Sequence, residues 1–301
     1  VDKFWEKIYL CKVKPFSMYS QEITRRHRAA IVLMLDRSAS MQGRVRFGRM
    51  ITSKAEAVAM TANMLVTELM DRCRRTDALR NYFDVAVVGY GNDRVEQLLS
   101  EDGFVSVEAL SKRTPKIGRV AFEEELPDGT AAMVEHGRPC WVEAHAEGTT
   151  PMYEAMMQVR DMVEQWCAKP ENRESFPPIV INITDGEPTD CDDNELRDIC
   201  SQVRRIATED GQTLLLNVHI CTDWTLPSVV FPMPDELMGA GRQARTLAEC
   251  SSVMPAAFDD AIVEMKGMGA VPPFYGMGYN ASVIELLSII NIGSRSIMNM
   301  E

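Results

Sequence analysis

Four short, largely apolar runs, residues 29–35, 83–90, 178–183 and 213–221, constrain this chain more than any other feature. Each has the length of a strand, and the first is apolar at every position rather than alternating with polar residues. Such runs suit strands buried on both faces, the environment of a parallel sheet. Between them, apolar residues recur three or four apart. Ile51, Ala55, Val58, Ala62, Leu65, Leu69 and Cys73 form one helical stripe, and Met152, Ala155, Met156, Val159, Met162, Val163 and Trp166 a second, with Pro151 at its start and Thr150 as its expected cap. Leu196, Ile199, Cys200, Val203 and Ile206 form a third, behind Asp192 and Glu195 at capping-box spacing. Strands alternating with helices in this way predict an α/β fold, doubly wound, with a mostly parallel central sheet covered by helices on both faces.

The chain of 301 residues reads as a single elaborated domain, 1–301. Its expected parts are an N-terminal strand extension (1–28), a core (29–221) carrying an insertion (92–148), and a C-terminal extension (222–301). The insertion is expected to be β-rich, because Pro127-Asp128-Gly129 reads as a turn between strand-like pieces at 120–126 and 131–135, with another at 140–144. In the C-terminal part, helical patterns recur at 243–250 and 281–290, the second capped by Asn280, and Met265, Met268 and Met277 read as core packing first, with an adaptable contact surface as the alternative.

Charge and cysteine content exclude several classes. With 32 Lys and Arg against 44 Asp and Glu, the net charge is -12, the opposite of the basic face that nucleic acid requires. Short basic clusters, Arg25 to Arg28 and Arg44, Arg46 and Arg49, do not change that balance. The eight cysteines form no close pair and no framework, and the apolar runs are too short to span a bilayer, so a reducing cytoplasm is the expected setting. His219, within the last run, is expected to be a packed core residue.

Chemistry concentrates where the strands end. Asp36-Arg37-Ser38-Ala39-Ser40 follows the first run, Thr184-Asp185-Gly186-Glu187 follows the third, and Thr149-Thr150-Pro151 opens the second helix. In extended backbone Asp36, Ser38 and Ser40 point the same way. Ligands of α/β sheets bind beyond the carboxyl ends of the strands, which is where Asp36 and Asp185 fall. Carboxylates and hydroxyls converging from three loops make a hard-oxygen site for Mg2+, with Mn2+ or Ca2+ as substitutes. The acids that follow, Glu187, Asp190, Asp192 and Asp193, read as caps and solvated loop charge, with the alternative that they raise the local cation concentration and select a basic partner rim.

The chain resembles the von Willebrand factor A-type domain, whose metal-ion-dependent adhesion site combines an Asp-x-Ser-x-Ser strand exit, a later Thr, and an Asp in a Thr-Asp-Gly turn. By that resemblance the metal site is Asp36, Ser38, Ser40, Thr150 and Asp185, with Thr149 as the rival for the threonine. The stretch from Pro178 to Asp190 looks most like intracellular bacterial members related to tellurite-resistance-associated proteins. The resemblance implies a magnesium-dependent protein-interaction module, whose cation accepts an acidic side chain from a partner protein, with no catalysis of its own. It also implies alternative contexts: adaptor of a MoxR-type ATPase, or part of a kinase–phosphatase signalling set. A haloacid-dehalogenase-like phosphatase would use Asp36 as nucleophile but wants a second Asp where Ser38 stands. No Gly-x-x-x-x-Gly-Lys loop for nucleotide phosphates and no Gly-x-Ser-x-Gly elbow is present.

Overall fold

The computed structural model describes residues 18–47, 50–75, 79–125, 131–220, 228–238 and 240–280. β1 (Ala29–Asp36) has every residue buried. A 3-10 turn, Ala39–Gln42, and a hairpin of β2 (Arg44–Phe47) and β3 (Met50–Ser53) then carry the chain to α1 (Lys54–Cys73). The helical stripe expected from Ile51 therefore starts later. Ile51 is half exposed on β3, opposite Arg46. Ser53 sets the boundary: its hydroxyl accepts the Glu56 N–H at 3.2 Å, and the Glu56 carboxylate accepts the Ser53 N–H at 3.0 Å.

β4 (Phe83–Gly91) reverses through Asn92 and Asp93 into β5 (Arg94–Gln97). Both turn residues have positive φ, 50° and 55°, the geometry of a tight hairpin turn matched to strand twist. β6 (Val105–Ser106) pairs with the other end of β4 and leads into α2 (Val107–Ser111). The first part of the stretch expected as an insertion thus supplies a sheet edge, and it buries Leu99, Val105, Val107 and Leu110 in the core. The β-rich excursion itself is the antiparallel hairpin of β7 (Lys116–Glu125) and β8 (Ala131–Cys140). Asn63 of α1 fastens its end: the Asn63 Oδ1 accepts from the N–H groups of Trp141 and Val142 at 2.7 and 2.9 Å. The piece expected as a strand at 140–144 is this pinned loop.

α3 (Met152–Cys167), β9 (Ile179–Thr184) and α4 (Asp193–Arg205) follow, then a small hairpin of β10 (Ala207–Thr208) and β11 (Gly211–Gln212), and β12 (Leu214–His219). The sheet continues past residue 221. β13 (Val229–Val230), α5 (Arg242–Cys250), α6 (Asp259–Lys266) and β14 (Met277–Tyr279) complete the described chain. Met277 is fully buried on β14, unlike Met265 and Met268, which are exposed. The strand expected before residue 17 and the helix expected at 281–290 lie outside the described residues.

The eight-stranded sheet has the order β13-β14-β12-β9-β1-β4-β5, with β6 also on β4. β14, β12, β9, β1 and β4 are parallel, and the short outer strands β13, β5 and β6 are antiparallel. Side chains alternate between two cores. Ile31, Leu33 and Leu35 face α1 through Val58, Leu65 and Leu69, while Val32 and Met34 face α3, α4 and α5 through Val159, Ile199 and Leu247. The fold is the doubly wound α/β sheet expected. The six described cysteines carry free thiols. Among the described residues no helix is long and apolar enough to cross a membrane.

Candidate metal centre

β1 and β9 are adjacent parallel strands that end level, Leu35 opposite Ile183, so Asp36 and Thr184 emerge side by side. The Thr184 hydroxyl donates to Asp36 Oδ2 at 2.6 Å, and the Ser38 N–H donates to Asp36 Oδ1 at 2.9 Å. Both carboxylate oxygens therefore act as acceptors. Burial raises the Asp36 carboxyl above its usual 3.8, with the hydrogen bonds from Ser38 and Thr184 opposing it. Ser40 then joins the two strand ends. Its hydroxyl donates to Asp185 Oδ1 at 2.6 Å and lies 2.9 Å from the Ser38 hydroxyl. Because the single Ser40 proton goes to Asp185, Ser38 is the donor to Ser40.

The two threonines separate. The Thr149 hydroxyl donates to Asp93 Oδ1 at 2.5 Å and accepts the Asp93 N–H at 2.8 Å, so it serves the β4–β5 turn. Thr150 is buried, and its backbone is tied to the loop after Asp185: its N–H donates to the Thr189 hydroxyl and its carbonyl accepts the Thr189 N–H, both at 3.0 Å. Thr150 is not the helix cap the sequence suggested. α3 begins at Met152, and Asp190 takes its first free N–H groups, from Tyr153 at 3.2 Å and Glu154 at 3.0 Å. Asp192 caps α4 in a full capping box, and Asp193 pairs with Arg242 at 2.9 Å. The acidic run is therefore mostly structural, as expected, with Glu187 left exposed.

Glycines let the loops close on one another. The Arg37 N–H donates to the Tyr90 carbonyl at 2.8 Å, its carbonyl accepts from Glu147, and the Ala39 N–H reaches the Gly148 carbonyl at 3.0 Å. A Cβ on Gly91 would lie 2.5 Å from the Arg37 carbonyl oxygen. Gly148, at φ +66°, would place one 2.6 Å from the Asn92 Cα. The Asp-Arg-Ser-Ala-Ser segment is thus clamped between β4 and the entry to α3.

Two features here escaped the sequence, Thr184 and Lys54, while His219 is the packed core residue expected. Thr184 belongs to the centre as the partner of Asp36, legible from the alternation that puts both on one face. Lys54, at the first position of α1, places its Nζ 2.5 Å from Asp185 Oδ2 with its side chain 9% exposed. The signal for it is a lysine in a helical first turn, where the helix dipole disfavours positive charge. His219, one strand beyond Thr184, is 7% exposed and stacks on Tyr279 at 5.3 Å, and neither ring nitrogen has a hydrogen-bond partner among the described residues. Burial lowers its pKa below 6.5. Arg44 and Arg46 lie exposed on β2, and Arg49 lies outside the described residues.

Hydroxyl oxygens from Ser38 and Ser40 with the Asp185 and Asp36 carboxylates form a hard, mixed-charge donor set, which fits an oxygen-seeking cation that keeps some of its waters. Among the described residues no group of three or more His, Cys, Asp or Glu side chains forms a metal-holding cluster, so the hydroxyls are essential to the fit.

No family model matches the sequence, and no curated protein matches it. Comparison with solved structures returns 55 matching chains. One is a von Willebrand factor type A protein from Catenulispora acidiphila, at TM-score 0.46 and 12% identity, covering 90% of this chain and 43% of that one. This chain spans less than half the length of that protein. Another is an uncharacterized membrane spanning protein from Vibrio fischeri, at TM-score 0.27 and 12% identity, covering 64% of this chain and 71% of that one. The functional reading rests on the side chains gathered at the ends of β1 and β9.

Proposed function

We propose that the chain is a divalent-cation-dependent protein-interaction module resembling the von Willebrand factor A-type domain, with Asp36, Ser38, Ser40, Thr150 and Asp185 as its metal-ion-dependent adhesion site. The observation that carries this reading is the continuous Ser38–Ser40–Asp185 hydrogen-bonded chain, which joins the exit of β1 to the exit of β9. Ser38, Ser40 and Thr150 present neutral oxygens. Asp36 orients Ser38 and Thr184, and Asp185 orients Ser40. Bound Mg2+, or Mn2+ or Ca2+ in its place, supplies an electrophilic position that a carboxylate from an acidic partner side chain completes. Few directly ligating carboxylates keep that position attractive to an anion.

Turnover is not part of the reading. Asp36 is buried with both oxygens accepting hydrogen bonds, which suits orientation of neighbours rather than attack on a phosphoester. An adaptor role within a MoxR-type ATPase or a kinase–phosphatase set would use the same contact on a larger assembly.

Magnesium that binds only the folded chain raises its melting temperature, by the equivalent of about 2.7 kcal/mol at a hundredfold excess over Kd. Differential scanning fluorimetry of wild type should show this rise, and Asp185→Ala should lack it. An equal rise in both proteins removes the assignment. A partner recovered from lysate with wild type in magnesium, and lost both in EDTA and with Ser40→Ala, would carry the acidic side chain.

A further inference from the structure

Two circumstances disfavour a lysine at position 54: it opens a helix, facing the positive end of the dipole, and its side chain is almost wholly buried. What holds it there is Asp185, whose Oδ2 accepts from Nζ at 2.5 Å while Oδ1 accepts from Ser40 at 2.6 Å. The backbone keeps the ammonium in register with the centre. The Lys54 N–H donates to the Gly43 carbonyl at 2.8 Å, and the Gly43 N–H donates to the Ser40 carbonyl at 3.0 Å. The intervening β2–β3 hairpin closes as a loop, Arg44 opposite Ser53, so the start of α1 is fastened to the serine segment itself.

We propose that Lys54 is a built-in monovalent counter-ion of the metal centre, which a divalent cation must move aside, and that it makes cation binding depend on a partner carboxylate. The inference rests on the reading of Asp36, Ser38, Ser40, Thr150 and Asp185 as a cation site. Asp36, Asp185 and the Lys54 ammonium together leave one negative charge. A divalent cation turns that into one positive charge, and a carboxylate from outside brings the centre to neutrality. Without Lys54 the cation alone would neutralise the two carboxylates, and an acidic partner would meet no net attraction. Lys54 thus lowers affinity for the free cation and raises the pull on an acidic side chain.

The test is Mn2+ titrated by calorimetry into the full chain as wild type, Lys54→Met and Lys54→Gln, with melting temperatures in EDTA and in Mn2+. Lys54→Met should bind Mn2+ at least roughly tenfold more tightly than wild type, within the usual range of coupling between sites. In EDTA it should melt below wild type, because Asp185 is left buried without its counter-charge, and Mn2+ should restore it. Lys54→Gln keeps a hydrogen-bond donor beside Asp185 and should also bind Mn2+ more tightly, which covers failure of the methionine variant to fold. Wild-type binding with no gain in either variant overturns the proposal and leaves Lys54 a structural ion pair. Absence of Mn2+ binding in all three proteins overturns the cation site itself, and the proposal with it.

Discussion

Thr149 and Thr150 are neighbours of identical chemistry, yet they serve different parts of the molecule. The Thr149 hydroxyl closes the β4–β5 turn through Asp93, whereas Thr150 is buried against the loop that leaves Asp185. Valine at either place keeps the shape and removes the hydroxyl, so the pair separates turn from site. Thr149→Val should lose about 1 kcal/mol of stability, read from urea unfolding, and keep the full magnesium-dependent rise in melting temperature. Thr150→Val should keep most of its stability and lose the magnesium response. From sequence alone Thr150 is preferred by resemblance and Thr149 stays its rival, because nothing local reveals that Asp93 lies within reach of Thr149. Lys54 was hidden for a related reason. A hairpin separates it from Ser40, and only the pairing of β2 with β3 brings it back.

Elements of regular length were readable, and those set by pairing were not. β1 and β9 are apolar enough to announce themselves, and the Asp192–Glu195 box marks the start of α4. The start of α1 was misread because Ile51 continues a helical period by coincidence while its backbone pairs with β2. The Ser53–Glu56 box was the better signal. β6, β13 and β14 have two or three residues each, too few for any period to register. At this scale the sharpest test is Gly91, the last residue of β4. A methyl group there meets the Arg37 carbonyl, a backbone atom that cannot swing aside, so the serine segment must shift. Gly91→Ala should cost about 1–3 kcal/mol in urea unfolding and weaken Mn2+ binding as well, although residue 91 offers no ligand. Unchanged Mn2+ affinity would mean that the clamp between β4 and the serine segment does not position the site.

Across the whole molecule, a polar ladder crosses the sheet beneath the site. The Tyr90 hydroxyl donates to Asn182 Oδ1 at 2.7 Å, Asn182 Nδ2 donates to Asn217 Oδ1 at 2.9 Å, and Asn217 Nδ2 donates to the Ser251 hydroxyl at 3.0 Å. Burial, with the nearby Asp36 charge, pushes the Tyr90 phenol well above 10.0, so it stays a donor. This ladder links β4, β9, β12 and the residue after α5, and so spans both the expected core (29–221) and the expected C-terminal extension (222–301). The order of the strands could not be read from the chain, because each buried run is equally suited to any central position. β14 brings a further consequence, for anyone trimming the protein. It lies parallel on β12 from Asn217 to His219 and buries Met277. A fragment ending at residue 221 would bare the backbone of β12 along an apolar margin, a template on which other copies could pair. Such a fragment should form soluble aggregates in size-exclusion chromatography, while one reaching Asn280 should elute as a discrete species, so the smallest workable piece is set by a three-residue strand that lies two strands beyond β9.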